Sequence, residues 1–200
     1  MPVTRTTGSM KRQNVMAQIV ASARREVEKN GILGLRVADV AAGANSSITQ
    51  IYRYFGDRDG LLAQVLGDMY EEGLDVALQG YLTKIKSLPS ITVDDLVMNL
   101  PTPSQYASMK GQEIRLQILA TSVMNPTLRE RIEKVSRDQV DVWNSELDWV
   151  EANLAPGVRI DRRVFTVMLL VQTMYYRTIL GDKGFTDEEY RQFLRDKLSA

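Results

Sequence analysis

The sequence predicts an all-α fold of about nine helices, arranged as a small N-terminal three-helix unit and a larger helical body. Three observations predict it. Apolar residues recur at three- and four-residue spacing along nearly the whole chain. Helix-starting residues such as Ser47, Asp57, Asn125 and Thr186 stand immediately before those stripes. No alternating β-branched pair flanks an Asn-Gly or Asp-Gly turn, so hairpin signals are missing.

Val15, Ile19, Ala23 and Val27 form one face of a first helix, which Asn30-Gly31 closes as a C-cap. Val37, Val40, Ala41 and Ala44 form a second, short stripe. Ile48, Ile51, Tyr52 and Phe55 form a third, expected to turn inward. Asp57 opens a long fourth helix towards Leu88-Pro89, weakened by Gly60, Gly67, Gly73 and Gly80. A short helix follows from Thr92 to about Leu100, and another from Pro103 or Ser104 to Val123. Asn125-Pro126 reads as cap and first-turn proline of a long helix to about Leu154. Asp161 begins a strongly apolar helix that ends at Gly181. Thr186-x-x-Glu189 is a capping box that opens the last helix, to about Leu198. The division expected is a flexible tail over 1–10, a helix-turn-helix unit over 11–57, and a helical ligand-binding and dimerisation domain over 58–200.

Composition removes several chemistries. The 200 residues include no cysteine and no histidine, which excludes disulfides, thiol catalysis and imidazole acid–base work. No P-loop or dinucleotide fingerprint is present, so no cofactor, no metal and no enzymatic activity are expected. No run of about 18 apolar residues occurs, and the basic N-terminus lacks the apolar core of a secretory signal. A cytoplasmic protein without membrane contact is the expectation. Net charge is zero, yet nine Lys/Arg against five acids over residues 1–60 leave an excess of +4. Sixteen against twenty over residues 61–200 leave −4. A basic module on an acidic body is one reading, chance scatter the other.

Residues 37–55 hold the sharpest signal. Two short helices, joined by Gly43-Ala44-Asn45-Ser46, are each too short to be stable alone. Packed on the first helix, they make the compact unit that presents a helix to the DNA major groove. Ser47 caps the second of them, and Gln50 completes a capping box. The outward side chains are then Thr49, Gln50, Arg53 and Tyr54. Gln suits an adenine edge, Thr a base or the thymine methyl, Arg and Tyr a phosphate or base. The alternative is that Gln50 closes the cap and Arg53 is a solvated charge.

From Val37-Ala38-Asp39-Val40-Ala41, through Ile51-Tyr52-Arg53-Tyr54-Phe55, to Asp57-Arg58-Asp59-Gly60-Leu61-Leu62, the chain resembles the DNA-binding domain of the TetR family of repressors. The likeness covers residues 13–66. Arg36 or Val37 stands where the family usually has Thr or Ser, Asn45-Ser46 where it has Gly-Val, and Arg58 where it has Lys. The resemblance implies that Ser47, Thr49 and Gln50 lie nearest the bases. It places Tyr52 and Tyr54 against the sugar-phosphate backbone, Arg36 and Arg58 at phosphates, and Lys11 and Arg12 at the backbone from the first helix. For Tyr52, packing and contact stand as equal readings.

In the body, apolar residues surround almost the whole Asp161–Gly181 helix, so it needs a partner on two sides. A fully central helix in a monomer is one reading; the other is a two-fold homodimer built from Val164, Val167, Val171 and Tyr175 with Tyr190, Phe193 and Leu194 of the last helix. The resemblance implies the same interface. Such a dimer would set two reading helices one DNA turn apart for a palindromic operator. The resemblance also implies a small hydrophobic ligand among Met98, Tyr106, Met109, Met124, Trp143, Phe165, Met168 and Gln172, each of which has plain core as its alternative. The expected function is a ligand-responsive, sequence-specific transcriptional repressor, released from double-stranded DNA by that ligand. The rival reading is a helix-turn-helix structural or partner-binding protein without an effector.

Overall fold

The structure, a computed structural model, describes residues 4–100, 102, 104–105, 112–164 and 186–199. Those residues form α1 (Thr4–Gly34), α2 (Val37–Gly43), α3 (Ile48–Phe55), α4 (Arg58–Lys86), α5 (Val93–Asn99), α6 (Gln112–Ser122), α7 (Pro126–Ala152) and α8 (Asp187–Leu198). The fold is all-α, as expected. Among the described residues the extended pairing is limited to two isolated bridges, Ile91 with Leu154 and Ile160 with Ser199. The expected Asp161–Gly181 helix is entered at residues 162–164 and otherwise lies outside the described residues.

The first helix starts earlier than expected. Residues 4–10, expected as a tail, are helical. Residues 5–13 contain no proline, and a helix once nucleated propagates through such a stretch. Gly31 breaks the helix with φ 73° and ψ 170°, and one further turn follows it. The expected stop at Asn30-Gly31 is thus where the helical backbone gives way.

By packing, the chain forms two compact units: residues 1–73 with 113–136, and 74–112 with 137–200. In the first, Ile19, Ala23 and Val27 of α1 are buried with Val40, Ala41 and Ala44. The backbones of α1 and α2 approach closely. The buried Ser22 hydroxyl donates to the Val40 carbonyl at 3.0 Å. A side chain at Gly43 would collide with that hydroxyl. Helix α2 ends in a Schellman arrangement. Ser46 N–H donates to the Ala41 carbonyl at 2.9 Å and Asn45 N–H to Ala42 at 3.2 Å. Asn45 carries the left-handed φ of 49° that the motif needs.

Helix α4 begins under α3 with equal economy of space. Asp57 caps it by accepting from the Gly60 N–H at 2.8 Å. A Cβ at Gly60 would strike the Phe55 carbonyl oxygen. Arg58 donates to the Ile32 and Leu35 carbonyls at 3.3 and 3.5 Å; the first also accepts from the Leu35 N–H, and the second lies just past the end of α1. Residues 113–136 join the same unit through Asn125, which is buried. Its Oδ1 caps α7 at the Leu128 N–H, 2.9 Å away, and its Nδ2 donates to the Asp59 carbonyl at 3.0 Å. Arg131 of α7 pairs with Asp68 of α4, and Tyr70 bonds Ser136 at 3.2 Å.

The second unit has its own core. Tyr81 and Trp143 pack with ring centroids 6.2 Å apart, among Ile85, Leu96, Leu147 and Leu194. The Tyr81 hydroxyl donates to the Leu96 carbonyl at 3.3 Å, and burial pushes its pKa up. Capping boxes at Thr92–Asp95 and Thr186–Glu189 start α5 and α8. They hold the pKa values of both carboxyls below the ordinary range, through hydrogen bonds from the threonines.

Three substitutions test this packing. Gly60→Ala should lower the thermal midpoint, by about 1–3 kcal/mol of stability, since the Phe55 backbone cannot yield. Gly73→Ala, which meets nothing within 4 Å, should raise stability by roughly 0.5–1 kcal/mol, the helix-propensity difference. In a separate unfolding titration Arg58→Ala should cost about 1 kcal/mol by leaving the Leu35 carbonyl without its donor. Unchanged stability would return Arg58 to the role of an exposed cation.

Candidate nucleic-acid interface

Helix α3 is eight residues long and capped by Ser47, whose hydroxyl accepts from the Gln50 N–H at 3.1 Å. Ile51 is its fully buried residue and anchors it to its neighbours. The inward arc is narrower than the sequence predicted. Ile48 is 42% exposed and Tyr52 40% exposed, whereas Phe55 is half-buried. At 100° per residue, the buried arc is centred on Ile51 with Phe55 on one side and Tyr54 on the other. Tyr52, Thr49 and Arg53 share the far, exposed arc, and Ile48, on Phe55's side of Ile51, is exposed at the first turn of the helix. Tyr52, for which packing and contact were equal readings, stands on the open side.

Gln50 sits at the rim, half-buried. Instead of closing a reciprocal box onto the Ser47 N–H, its side chain turns back to α2's exit. The Ser46 hydroxyl donates to Gln50 Oε1 at 3.2 Å. Arg53 donates to the Tyr54 hydroxyl at 3.2 Å and places its guanidinium 5.1 Å from the ring centroid. Arg12 of α1 lies over the same ring at 5.5 Å. Hydrogen bonds from Gln50, and then Arg53, hold the Tyr54 pKa below its ordinary value.

The remaining expected DNA-side residues fall into two groups. Lys11, Arg12 and Arg36 are exposed. Arg36 is the N-cap residue of α2, extended and without a side-chain capping bond, so its guanidinium is displayed. Arg58 differs: half-buried, it is turned to the main-chain carbonyls at the end of α1. A cation placed within reach of orphan carbonyls is drawn to them. Ser46 and Ser22 were not singled out from the sequence. The i, i+4 spacing of Ser46 and Gln50 was the available signal for the first; the second shows nothing in sequence but a small polar residue on an apolar face.

The body residues are divided more widely. Trp143 is core, packed on Tyr81. Met98 is exposed, with Arg195 donating to its sulfur at 3.6 Å. Met124 belongs to the first unit and is 84% exposed, at the turn before the α7 cap. An apolar interior therefore does not gather these three. Tyr106, Met109, Phe165, Met168 and Gln172 lie outside the described residues, as do Val167, Val171 and Tyr175. Of the expected dimer residues, Phe193 is 52% exposed, while Val164 and Tyr190 are half-buried. Leu194 is buried in this chain's own core. It points the other way from Phe193 because adjacent helical residues are 100° apart.

No helix among the described residues is long and apolar enough to cross a membrane. Residues 19–65 match the family model for bacterial regulatory proteins of the tetR family, a span that contains α2, α3 and the first turns of α4. The chain is 27% identical over 172 residues to the HTH-type transcriptional regulator BetI of Burkholderia mallei (strain NCTC 10229), covering 82% of each protein. The Burkholderia thailandensis BetI is 27% identical over 176 residues, with 84% of each covered. In fold, the chain is similar to multidrug binding protein EbrR solved with imidazole (TM-score 0.62, 19% identity, 92% of this chain and 95% of that one). A Saccharomonospora viridis protein solved in complex with choline is comparable (TM-score 0.58, 16% identity, 92% and 97%). With the motif in register and the tri-helical unit in place, residues 19–65 are similar to the DNA-binding module of bacterial regulatory proteins of the tetR family, and the chain as a whole is similar to transcriptional regulators.

Proposed function

We propose that this regulator is a homodimeric repressor that reads a palindromic operator through α3 and releases it when a small organic effector binds the body. The observation that carries the proposal is the exposed arc of α3. Thr49, Tyr52 and Arg53 stand open to solvent on a helix whose Ile51 is wholly buried. Side chains able to bind bases and phosphates are thus held on a rigid support. The displayed cations Lys11, Arg12 and Arg36 flank that arc in sequence and suit a phosphate backbone. In this reading Ser47 approaches the bases at the helix start, and Tyr52 lies against the sugar-phosphate backbone.

Dimerisation is supported by Phe193, a large aromatic exposed on α8, and by the apolar sequence from Val164 to Tyr176. For the effector, fold relatives solved with choline and with proflavin suggest small organic cations beside neutral apolar compounds. To release DNA, such a molecule must favour the low-affinity arrangement by several kcal/mol for a near-complete switch.

In a gel-shift and footprinting assay with the chain's own upstream DNA, two chains should protect a two-fold symmetric site. Random duplex should bind at least about a thousandfold more weakly. Arg36→Ala should weaken all duplexes alike and lower the salt slope by about 1. Equal affinity for upstream and random DNA would defeat the operator reading. A thermal-shift screen of small organic cations and apolar compounds should yield a hit worth about 2.7 kcal/mol at a hundredfold excess over Kd. That hit should also lower operator affinity; a binder that leaves operator affinity unchanged is not the effector.

A further inference from the structure

We propose that Ser46 and Tyr54 are positioning residues for DNA recognition, together fixing the Gln50 amide for base reading and, through the Tyr54 ring, holding Arg12 and Arg53 for phosphate contact. The proposal rests on the reading of α3 as the DNA-reading helix and names how its surface is set before DNA arrives.

The geometry is a chain of contacts along one edge of α3. Ser46, Gln50 and Tyr54 are spaced four residues apart, so they stack in one row on the helix surface and its approach. At the upstream end, Ser46 Oγ donates to Gln50 Oε1 at 3.2 Å. At the downstream end the Gln50 amide lies near enough to the Tyr54 hydroxyl to help hold that phenol's pKa below its ordinary value. An amide whose oxygen is anchored on the Ser46 hydroxyl, with its nitrogen toward Tyr54, is biased against swapping the two. A side-chain amide has two acceptor sites and two donor hydrogens, so one of each stays open for a base. Adenine offers a matching pair in the major groove, an acceptor at N7 and a donor at N6. A fixed amide presents its acceptor and donor in one order only, whereas a rotating one presents both.

Tyr54 serves a second group of atoms. Two guanidiniums lie over its ring, that of Arg12 from α1 at 5.5 Å and that of Arg53 from α3 at 5.1 Å. Its hydroxyl also accepts from Arg53 at 3.2 Å. Two cations that would repel each other are thereby gathered on one face. Long arginine side chains lose conformational freedom when they bind. Placing them on the ring beforehand removes part of that loss from the binding step. The hydroxyl and the ring thus do separable jobs, sequence reading and backbone attraction.

Selection of binding sites from a randomised duplex pool separates them, using the full-length protein and the Q50A, S46A, S46T, Y54F and Y54L variants, each checked for folding by thermal unfolding. The wild type should enrich one symmetric site. Q50A should lose roughly ten- to a hundredfold discrimination at one base-pair position of each half-site. S46A and Y54F should lose most of the discrimination at that same position, with the slope of log affinity on log salt unchanged. S46T, which restores the hydroxyl, should recover it. Y54L, which also removes the ring, should lower the salt slope by about 1 to 2. If S46A and Y54F read that position as sharply as the wild type, the proposal is overturned. A Q50A protein with unaltered preference overturns it too. A wild type that enriches no site removes the underlying reading of α3 instead. Should Y54F fail to fold, the S46A and S46T pair decides.

Discussion

Helices of seven and eight residues do not persist alone in water, so the exposed arc of α3 exists only while α1 and α4 hold α2 and α3. The hold is made by close backbone approach more than by bulk. Ser22 spends its hydroxyl on the Val40 carbonyl, at a place where Gly43 leaves room for nothing else. Gly60 lets α4 start directly beneath the end of α3. Ile51 then needs to fill one slot, and it is completely buried there. Every exposed residue of α3 takes its direction from that slot.

Polar contacts extend the same unit to a distant stretch of sequence. Asn125 joins the start of α7 to the Asp59 carbonyl, and Arg131 meets Asp68 and Glu71 on α4. The Arg115 guanidinium lies 5.7 Å from the centre of the Tyr70 ring. A head defined by sequence as residues 11–57 therefore omits groups that cap and brace its own base. The ion pairs are partly exposed and individually modest. Asn125 is buried and serves two partners, and its loss would leave the Leu128 N–H unmatched.

In the second unit the cation–π contact of Lys86 over Trp149, at 5.4 Å, and the Lys86–Glu146 pair bind α4 to α7. Arg195 ties α8 to Asp94 of α5 at 2.7 Å. Tyr190 is half-buried against the core, and desolvation pushes its pKa up to about 12. Its phenol stays neutral at any physiological pH, available as a hydrogen-bonding group and not as a charge.

Local rules were legible in the sequence because they act over three or four residues. The caps at Ser47, Asp57, Asn125 and Thr186, the left-handed Asn45 and the stripe Ile19–Ala23–Val27 needed only spacing and side-chain chemistry, and they stand where the pattern put them. Burial on a short helix is another matter. Whether Ile48 or Tyr52 is covered depends on how far neighbouring helices reach, and periodicity assigns a face without giving its width. The partners of Arg58, Gln50 and Leu194 were likewise chosen by tertiary packing. Each has several chemically reasonable partners, and three-dimensional proximity selects among them: orphan carbonyls for Arg58, the Ser46 hydroxyl for Gln50, the chain's own core for Leu194.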